Sequence, residues 1–308
     1  MKIAAAACAT LALAGCGGSA GLGTGDAKRL VELVHARAGG QVLTLAWSPS
    51  GERIAAGAPQ GVIVFDARNG RVVRRFRTGS QVWGVAWRRE GEALAAATDD
   101  GKVRRLPGGV VGGAHSGPAF SVSWSAEDDL AVGYADGSVR VLGAGTDRSS
   151  KSHTAEVIAV AWSHEGERLA SGSIDSTIVV RDARSTSRFG EPEGADVNGL
   201  AWSPDDDRLA AANQDGVVRI WDVAGRNIVR RLRGHEGWTR GLAWSPSGRL
   251  IVSSGADGTF RIWDADKGRE VRTLRAGRQE VWAVAWSPDG KRVASGDGDG
   301  SVRVWGLR

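Results

Sequence analysis

Residues 281–305 read VWAVAWSPDGKRVASGDGDGSVRVW. The stretch contains three short runs in which β-branched and other apolar residues alternate with their neighbours, and this pattern predicts β-strands. Pro and Gly at 287–290 supply turn geometry after the first run, and Asp-Gly at 299–300 marks a second turn. The stretch therefore predicts three consecutive strands that are joined by tight turns.

Similar stretches occur seven times along the chain when this one is included, and each copy has a Trp at the position of Trp286. These anchor tryptophans are Trp47, Trp87, Trp124, Trp162, Trp202, Trp244 and Trp286. Their spacings are 40, 37, 38, 40, 42 and 42 residues, and a period of this length indicates a repeat architecture. Copying of one unit also explains why the 308 residues include 13 Trp but only 1 Tyr.

The better copies carry further signals. Their third strand ends in Trp-Asp, as at 220–222 and 262–264, and Gly234-His235 precedes one of the anchors. Together with the period of about 40 residues, these features resemble the WD40 repeat family. The resemblance covers residues 29–308 and implies an all-β fold, a seven-bladed β-propeller with four-stranded antiparallel blades.

The last copy has only three strands of its own, because Arg308 follows the third strand by three residues. The segment 30–34 (LVELV) precedes the first anchor and has no blade of its own. We therefore expect this N-terminal strand to complete the last blade and to close the ring without an open sheet edge.

The resemblance also implies a polar tetrad that ties the strands of a blade together. In the blade anchored by Trp244 the tetrad is His235, Ser253, Asp257 and Trp263. A buried imidazole and a buried carboxylate need partners, and they can satisfy each other between strands. The blade anchored by Trp162 keeps His153, Ser171 and Asp175 but has Arg181 in place of the Trp.

In WD40 proteins the narrow face of the ring usually binds partners, and it exposes positions four and six residues before each anchor. The positions four residues before are Leu43, Trp83, Phe120, Ile158, Asn198, Arg240 and Trp282, and Trp238 stands out six residues before its anchor. An exposed apolar patch of this size marks an interaction site, and Trp and Arg are enriched in binding hot spots. The alternative is that these side chains pack near the central channel.

The N-terminus resembles a bacterial lipoprotein signal. Lys2 precedes an apolar stretch, and 13–16 (LAGC) resembles a lipobox. This implies a signal peptide over 1–15, acylation of Cys16, and a flexible Gly-rich tether over 16–28. We expect anchoring in the envelope, at the outer membrane if the cell has one and otherwise on the outer side of the cell membrane. An ordinary signal peptide with an incidental Cys is the alternative.

The remaining chemistry indicates a binding protein and not an enzyme. The chain has no metalloprotease helix motif, no nucleophile elbow and no paired His cluster, so we expect no catalytic residue, metal or cofactor. A net charge of +5 is too diffuse for nucleic-acid binding. We expect a monomeric ring with a protein or peptide partner. The alternatives are a glycan- or lipopolysaccharide-binding propeller and an accessory subunit of an exported peptidase or assembly complex.

Overall fold

The computed structural model describes residues 21–308 apart from 91, 113–114, 116, 144–145 and 192–193. In this part of the chain, 28 strands form seven four-stranded antiparallel sheets. The expected seven-bladed β-propeller is therefore confirmed. The predicted signal peptide and Cys16 lie outside the described residues.

A short helix, α1 (Thr24–Ala27), and a strand, β1 (Val31–Arg37), come first. Blade 1 comprises β2 (Thr44–Trp47), β3 (Arg53–Ala58), β4 (Gly61–Asp66) and β5 (Val72–Arg77). Blade 2 comprises β6 (Val82–Trp87), β7 (Leu94–Thr98), β8 (Val103–Leu106) and β9 (Val110–Gly112). Blade 3 comprises β10 (Ala119–Trp124), β11 (Leu130–Tyr134), β12 (Ser138–Gly143) and β13 (Thr146–Lys151).

The second half of the ring follows the same order. Blade 4 comprises β14 (Val157–Trp162), β15 (Leu169–Ser173), β16 (Thr177–Arg181) and β17 (Thr186–Gly190). Blade 5 comprises β18 (Val197–Trp202), β19 (Arg208–Asn213), β20 (Val218–Asp222) and β21 (Asn227–Leu232). Blade 6 comprises β22 (Thr239–Trp244), β23 (Leu250–Gly255), β24 (Thr259–Asp264) and β25 (Arg269–Arg275). Blade 7 comprises β26 (Val281–Trp286), β27 (Val293–Asp297) and β28 (Ser301–Gly306), with β1 as its fourth strand.

The ring closes through β1, as the sequence predicts. This strand is antiparallel to β28, with Val31 opposite Gly306 and Arg37 opposite Ser301. It begins one residue later than predicted and continues three residues further, because the backbone stays paired as far as Arg37. The imidazole Nε2 of His35 also lies 3.0 Å from the Ser301 hydroxyl, which adds a side-chain contact to the closing pair.

Residues 21–28 pack against the propeller, which corrects the expectation that the tether stays flexible as far as residue 28. The Leu22 N–H donates to the Gly290 carbonyl at 2.9 Å. Leu22 and Ala27 are buried in one cluster with Leu274 and Trp305. A Gly-rich composition permits flexibility, but apolar side chains gain free energy wherever a neighbouring surface can cover them. Among the described residues, no helix is long and apolar enough to cross a membrane.

The anchor tryptophans join neighbouring blades. Each lies at the end of a first strand, and first strands contact the first strands of the adjacent blades along the axis. Four of these indoles donate from Nε1 to a carbonyl of the preceding blade at 3.0 to 3.3 Å; Trp47, Trp87, Trp124 and Trp202 donate to Ala285, Ala46, Ala86 and Ala161. The same residue therefore fills the space between two blades and satisfies a buried donor.

A Ser follows six of the seven anchors, and its hydrogen bond explains the recurring Trp-Ser pair. Its hydroxyl oxygen accepts a hydrogen bond from a backbone N–H four or five residues later, at 2.9 to 3.1 Å, and so closes the turn between the first two strands. The six serines are Ser48, Ser125, Ser163, Ser203, Ser245 and Ser287. A short polar side chain is thus required at this position by the turn.

Ring closure by the N-terminal segment can be tested at two leucines three residues apart. Leu30 is fully buried beside blade 7, whereas Leu33 is 40% exposed. We expect Leu30→Ala to lower the free energy of unfolding by about 2–5 kcal/mol, since it leaves a cavity, and Leu33→Ala to change it by less than about 0.5 kcal/mol. Denaturant unfolding measures both values, and equal effects would show that the segment does not close the ring.

Candidate functional site

In six of the seven blades a β-bulge interrupts the first strand near its start, at one end of the central channel. In blade 1 the corresponding residue, Leu43, directly precedes β2. In five blades the register with the second strand skips one residue, and that residue lies four positions before the anchor. In blade 6 the irregularity spans Arg240 and Gly241. Bulges redirect side chains and are frequent at functional sites. The seven residues form what we call the entrance ring, namely Leu43, Trp83, Phe120, Ile158, Asn198, Arg240 and Trp282.

Members of the entrance ring contact one another from blade to blade. Trp282 packs against Leu43, and Trp83 packs against this pair. Trp83 also meets Phe120 edge to face, with ring centroids 5.7 Å apart, and Phe120 packs against Ile158. The apolar part of the ring is thus continuous across blades 7, 1, 2, 3 and 4.

This packing corrects the expectation of an exposed apolar face. The five buried members of the predicted set are Leu43, Phe120, Ile158, Arg240 and Trp282, each at most 5% exposed. Trp83 and Trp238 are half-buried and are the two members of the set with solvent-exposed surface. The physical reason is that seven first strands converge on one axis, so that side chains from adjacent blades cover each other. The position of a residue relative to its anchor tryptophan does not show how closely neighbouring blades approach each other.

Arg240 is the most unusual member of the entrance ring. Its guanidinium lies 4.5 Å from the Trp238 ring centroid and 4.0 Å from that of Trp282, which is cation–π geometry with both rings. Nη2 donates to the Glu280 carboxylate at 2.6 Å. Nε and Nη1 are buried and have no hydrogen-bond partner. Burial lowers the pKa of Arg240, although the Glu280 carboxylate opposes this shift.

Two partners of these residues are not among the site residues that the sequence predicts. Glu280 pairs with Arg240, and Asp99 accepts a hydrogen bond from Trp83 Nε1 at 2.9 Å. Arg240 lies four residues before its anchor, and Glu280 lies six residues before the anchor of the next blade. The sequence contained this signal, because both residues stand at the two offsets expected to lie at the same end of neighbouring blades.

The tetrad predicted for blade 6 forms. The Ser253 hydroxyl lies 2.8 Å from His235 Nε2 and accepts a hydrogen bond from Trp263 Nε1 at 2.8 Å. On its other side, His235 Nδ1 lies 3.0 Å from the Asp257 carboxylate. Burial would raise the pKa of Asp257, but hydrogen bonds from His235 and Thr259 hold it below its usual range. The tetrad therefore links strands β23 and β24 to the segment before β22.

The corresponding group in blade 4 is incomplete. His153 Nε2 lies 2.8 Å from the Ser171 hydroxyl, and Nδ1 lies 3.2 Å from the Asp175 carboxylate. Arg181 occupies the Trp position, and instead of bonding Ser171 it donates from Nη1 to Ser150 of blade 3. Burial lowers the pKa of His153 despite the opposing effect of Asp175.

Comparison with known families supports these geometric observations. The segments 147–182, 184–222, 226–264 and 268–306 each match the WD40 family model (WD domain, G-beta repeat). Four of the repeats are WD40 repeats. Each matched segment begins near the outer strand of one blade and ends with the third strand of the next, so every WD40 repeat links two blades. WD40 propellers are typically non-catalytic scaffolds for protein interactions.

A search of curated proteins found no match to the chain. Within the described residues, no group of three or more His, Cys, Asp or Glu side chains could hold a metal ion.

A matched pair of serines tests the tetrad. Ser253 contacts both His235 and Trp263, whereas Ser171 contacts only His153 among the equivalent side chains. We expect Ser253→Ala to lower the free energy of unfolding by about 1–3 kcal/mol, since it leaves buried polar atoms without a partner. Ser171→Ala should have a smaller effect. Denaturant unfolding provides the measurement, and equal losses would contradict the proposed role of Trp263.

The buried imidazole of His153 predicts a pH dependence of stability. Since its pKa in the folded protein is below the usual 6.5, the unfolded chain binds a proton more readily as the pH falls through about 6.5. We expect the melting temperature to fall between about pH 7.5 and about pH 5.5, and His153→Asn to reduce this fall. Thermal melts of both proteins across this range provide the test, and parallel profiles would contradict it.

Proposed function

We propose that this WD40 propeller is a lipid-anchored, non-catalytic scaffold of the bacterial envelope, whose entrance ring and Trp238 bind a protein or peptide partner. The observation that carries the proposal is the Trp238–Arg240–Trp282 stack, beside the half-exposed Trp83. Trp and Arg at the rim of a packed apolar cluster are the composition of an interaction hot spot. The buried cluster beneath them supplies a rigid base.

The same stack favours a protein partner over a glycan. A sugar needs an open aromatic face on which to stack. Arg240 covers one face of Trp238 and one face of Trp282, and Trp282 is buried. A protein partner can instead use the exposed parts of Trp83 and Trp238 together with backbone hydrogen bonds. The glycan and peptidase-associated alternatives remain outcomes that the experiment below can distinguish.

The anchoring part of the proposal rests on the sequence. The lipobox-like 13–16 (LAGC) supplies Cys16 as the acylated residue. Leu22, the first buried side chain of the described segment, follows Cys16 by six residues. A short connection of this kind holds the ring close to the membrane and raises its effective concentration for membrane-associated partners.

Site-specific crosslinking in intact cells tests the binding face. A photoreactive amino acid replaces Trp238, and a matched control replaces the exposed Lys267 of the same blade, which lies in the turn at the opposite end. We expect a discrete protein adduct from position 238 and none from position 267, because only the first position borders the entrance ring. The same probe at Trp83 should capture the same partner.

Adducts from position 267 alone would contradict the proposed face, and a glycosidase-sensitive, protease-resistant adduct would assign it to a glycan. Anchoring is read from the same cells. Wild-type protein should incorporate an alkyne-labelled fatty acid and enter the detergent phase on phase separation. Cys16→Ser should do neither, and an acylated Cys16→Ser protein would refute the anchor.

A further inference from the structure

The boundary between blades 3 and 4 contains an open groove of about 1100 Å³. Val139 and Val141 of β12 line one side, and Leu169 of β15 lines the other. Trp162 lies against this boundary and is the one anchor tryptophan that is not fully buried. The buried apolar cluster here has five members, whereas the equivalent cluster between blades 5 and 6 has eleven. This boundary is therefore less completely filled.

Arg181 is the first cause of the groove. In blades 5, 6 and 7 the third strand ends in Trp221, Trp263 and Trp305, and each of these indoles packs into a cluster with the preceding blade. Arg181 takes this position in blade 4 and lines the groove. A flexible guanidinium side chain cannot fill the volume of an indole, so space remains against blade 3.

Asp129 is the second cause. In blades 4, 5 and 7 an Arg that follows the first turn stacks on the next anchor; these pairs are Arg168 with Trp202, Arg208 with Trp244, and Arg292 with Trp47, at 4.8 to 5.0 Å. The hydrogen bond from the Asp129 N–H to Ser125 shows that Asp129 occupies the same place in the turn of blade 3. Its short acidic side chain cannot stack on Trp162 as these Arg side chains stack on their anchors, and Trp162 is only partly buried.

The outer end of the groove carries unpaired positive charge. Arg148, Arg181 and Arg184 line it together with Asp182, and among the described residues none of the three guanidinium groups lies within salt-bridge distance of a carboxylate. The Asp182 carboxylate accepts hydrogen bonds from the Ser185 hydroxyl and from backbone N–H groups of its own turn. Arg181 Nε is buried and has no partner. Burial and the neighbouring Arg188 both lower the pKa of Arg181. A guanidinium in this state gains a charge-assisted hydrogen bond when a carboxylate reaches it.

The inner end of the groove carries the opposite charge. The first turns of blades 3 and 4, which adjoin the innermost strands, contribute Glu127, Asp129, Glu165 and Glu167 to the lining. Arg168 also lines this end, but its guanidinium stacks on Trp202 and donates to the Asp206 carbonyl. These carboxylates would repel a polyanion such as a nucleic acid. An isolated phosphate would leave the apolar wall and Trp162 unused. The combination fits an extended polypeptide that carries an acidic side chain next to an apolar one.

We infer that the groove between blades 3 and 4 is a second binding site, which takes an extended peptide segment of a protein partner. An acidic side chain of the peptide binds Arg181, and an adjacent apolar side chain covers Trp162 and Val141. This site is lined by different residues from the entrance ring, so that the two sites can be separated by mutation.

The test uses the full-length chain in detergent and a displayed library of random 12-residue peptides as the probe. Peptides that are selected on the wild-type protein are then measured against three variants. Arg181→Trp fills the groove and supplies the missing tetrad partner of Ser171, so it should raise the melting temperature while weakening peptide binding at least tenfold. Arg181→Gln removes the charge and should weaken the acidic peptides without filling the groove. Trp83→Ala, in the entrance ring, identifies any selected peptides that bind there instead of in the groove.

The inference is supported if the selected peptides pair Asp or Glu with an apolar residue and lose affinity in both Arg181 variants. It is overturned if no peptide is selected, or if the selected peptides bind Arg181→Trp as tightly as the wild-type protein. Peptides whose binding depends on Trp83 and not on Arg181 would overturn the proposal for the groove and would support binding at the entrance ring. The higher melting temperature of Arg181→Trp excludes misfolding as the cause of lost binding.

Discussion

The rest of the structure depends on the contact that each anchor tryptophan makes with the preceding blade. One indole fills the gap between two first strands, and in four cases its Nε1 also donates to a carbonyl across that gap. Each four-stranded blade has two faces that neighbouring blades must cover. Both faces of every blade are therefore covered only when the contact is repeated around a closed ring. The pairing of β1 with β28 completes the same scheme by removing the last open edge.

Local departures from this scheme concentrate where we propose binding. Blade 4 keeps His153, Ser171 and Asp175, but Arg181 replaces the Trp that would fill the space against blade 3. In the entrance ring, Arg240 stands where most blades have an apolar side chain. Both arginines are at least partly buried and leave N–H groups without partners. Such groups cost stability, and a ligand that satisfies them recovers it.

In the scaffold that we propose, the two sites would act in complementary ways. Trp83 and Trp238 are partly exposed on one face, above the buried members of the entrance ring, whereas the groove lies on the side of the ring, between two blades. A partner that bound both sites would bind more tightly, because the second contact forms within a complex that already exists. Packing of Leu22 and Ala27 beside blades 6 and 7 fixes where the N-terminal segment leaves the propeller.

The amino-acid sequence by itself determined the number of blades, their strands and the closing strand, because a period near 40 and alternation over a few residues are local properties of the chain. It also located the tetrad of His235, since that motif has fixed offsets. Only the tertiary structure decided which side chains are exposed. Three features depend on residues from neighbouring blades, namely the burial of Trp282 and Phe120, the cation–π contact of Arg240 with Trp282, and the groove at Arg181. The closed ring sets how closely these residues approach one another around the axis.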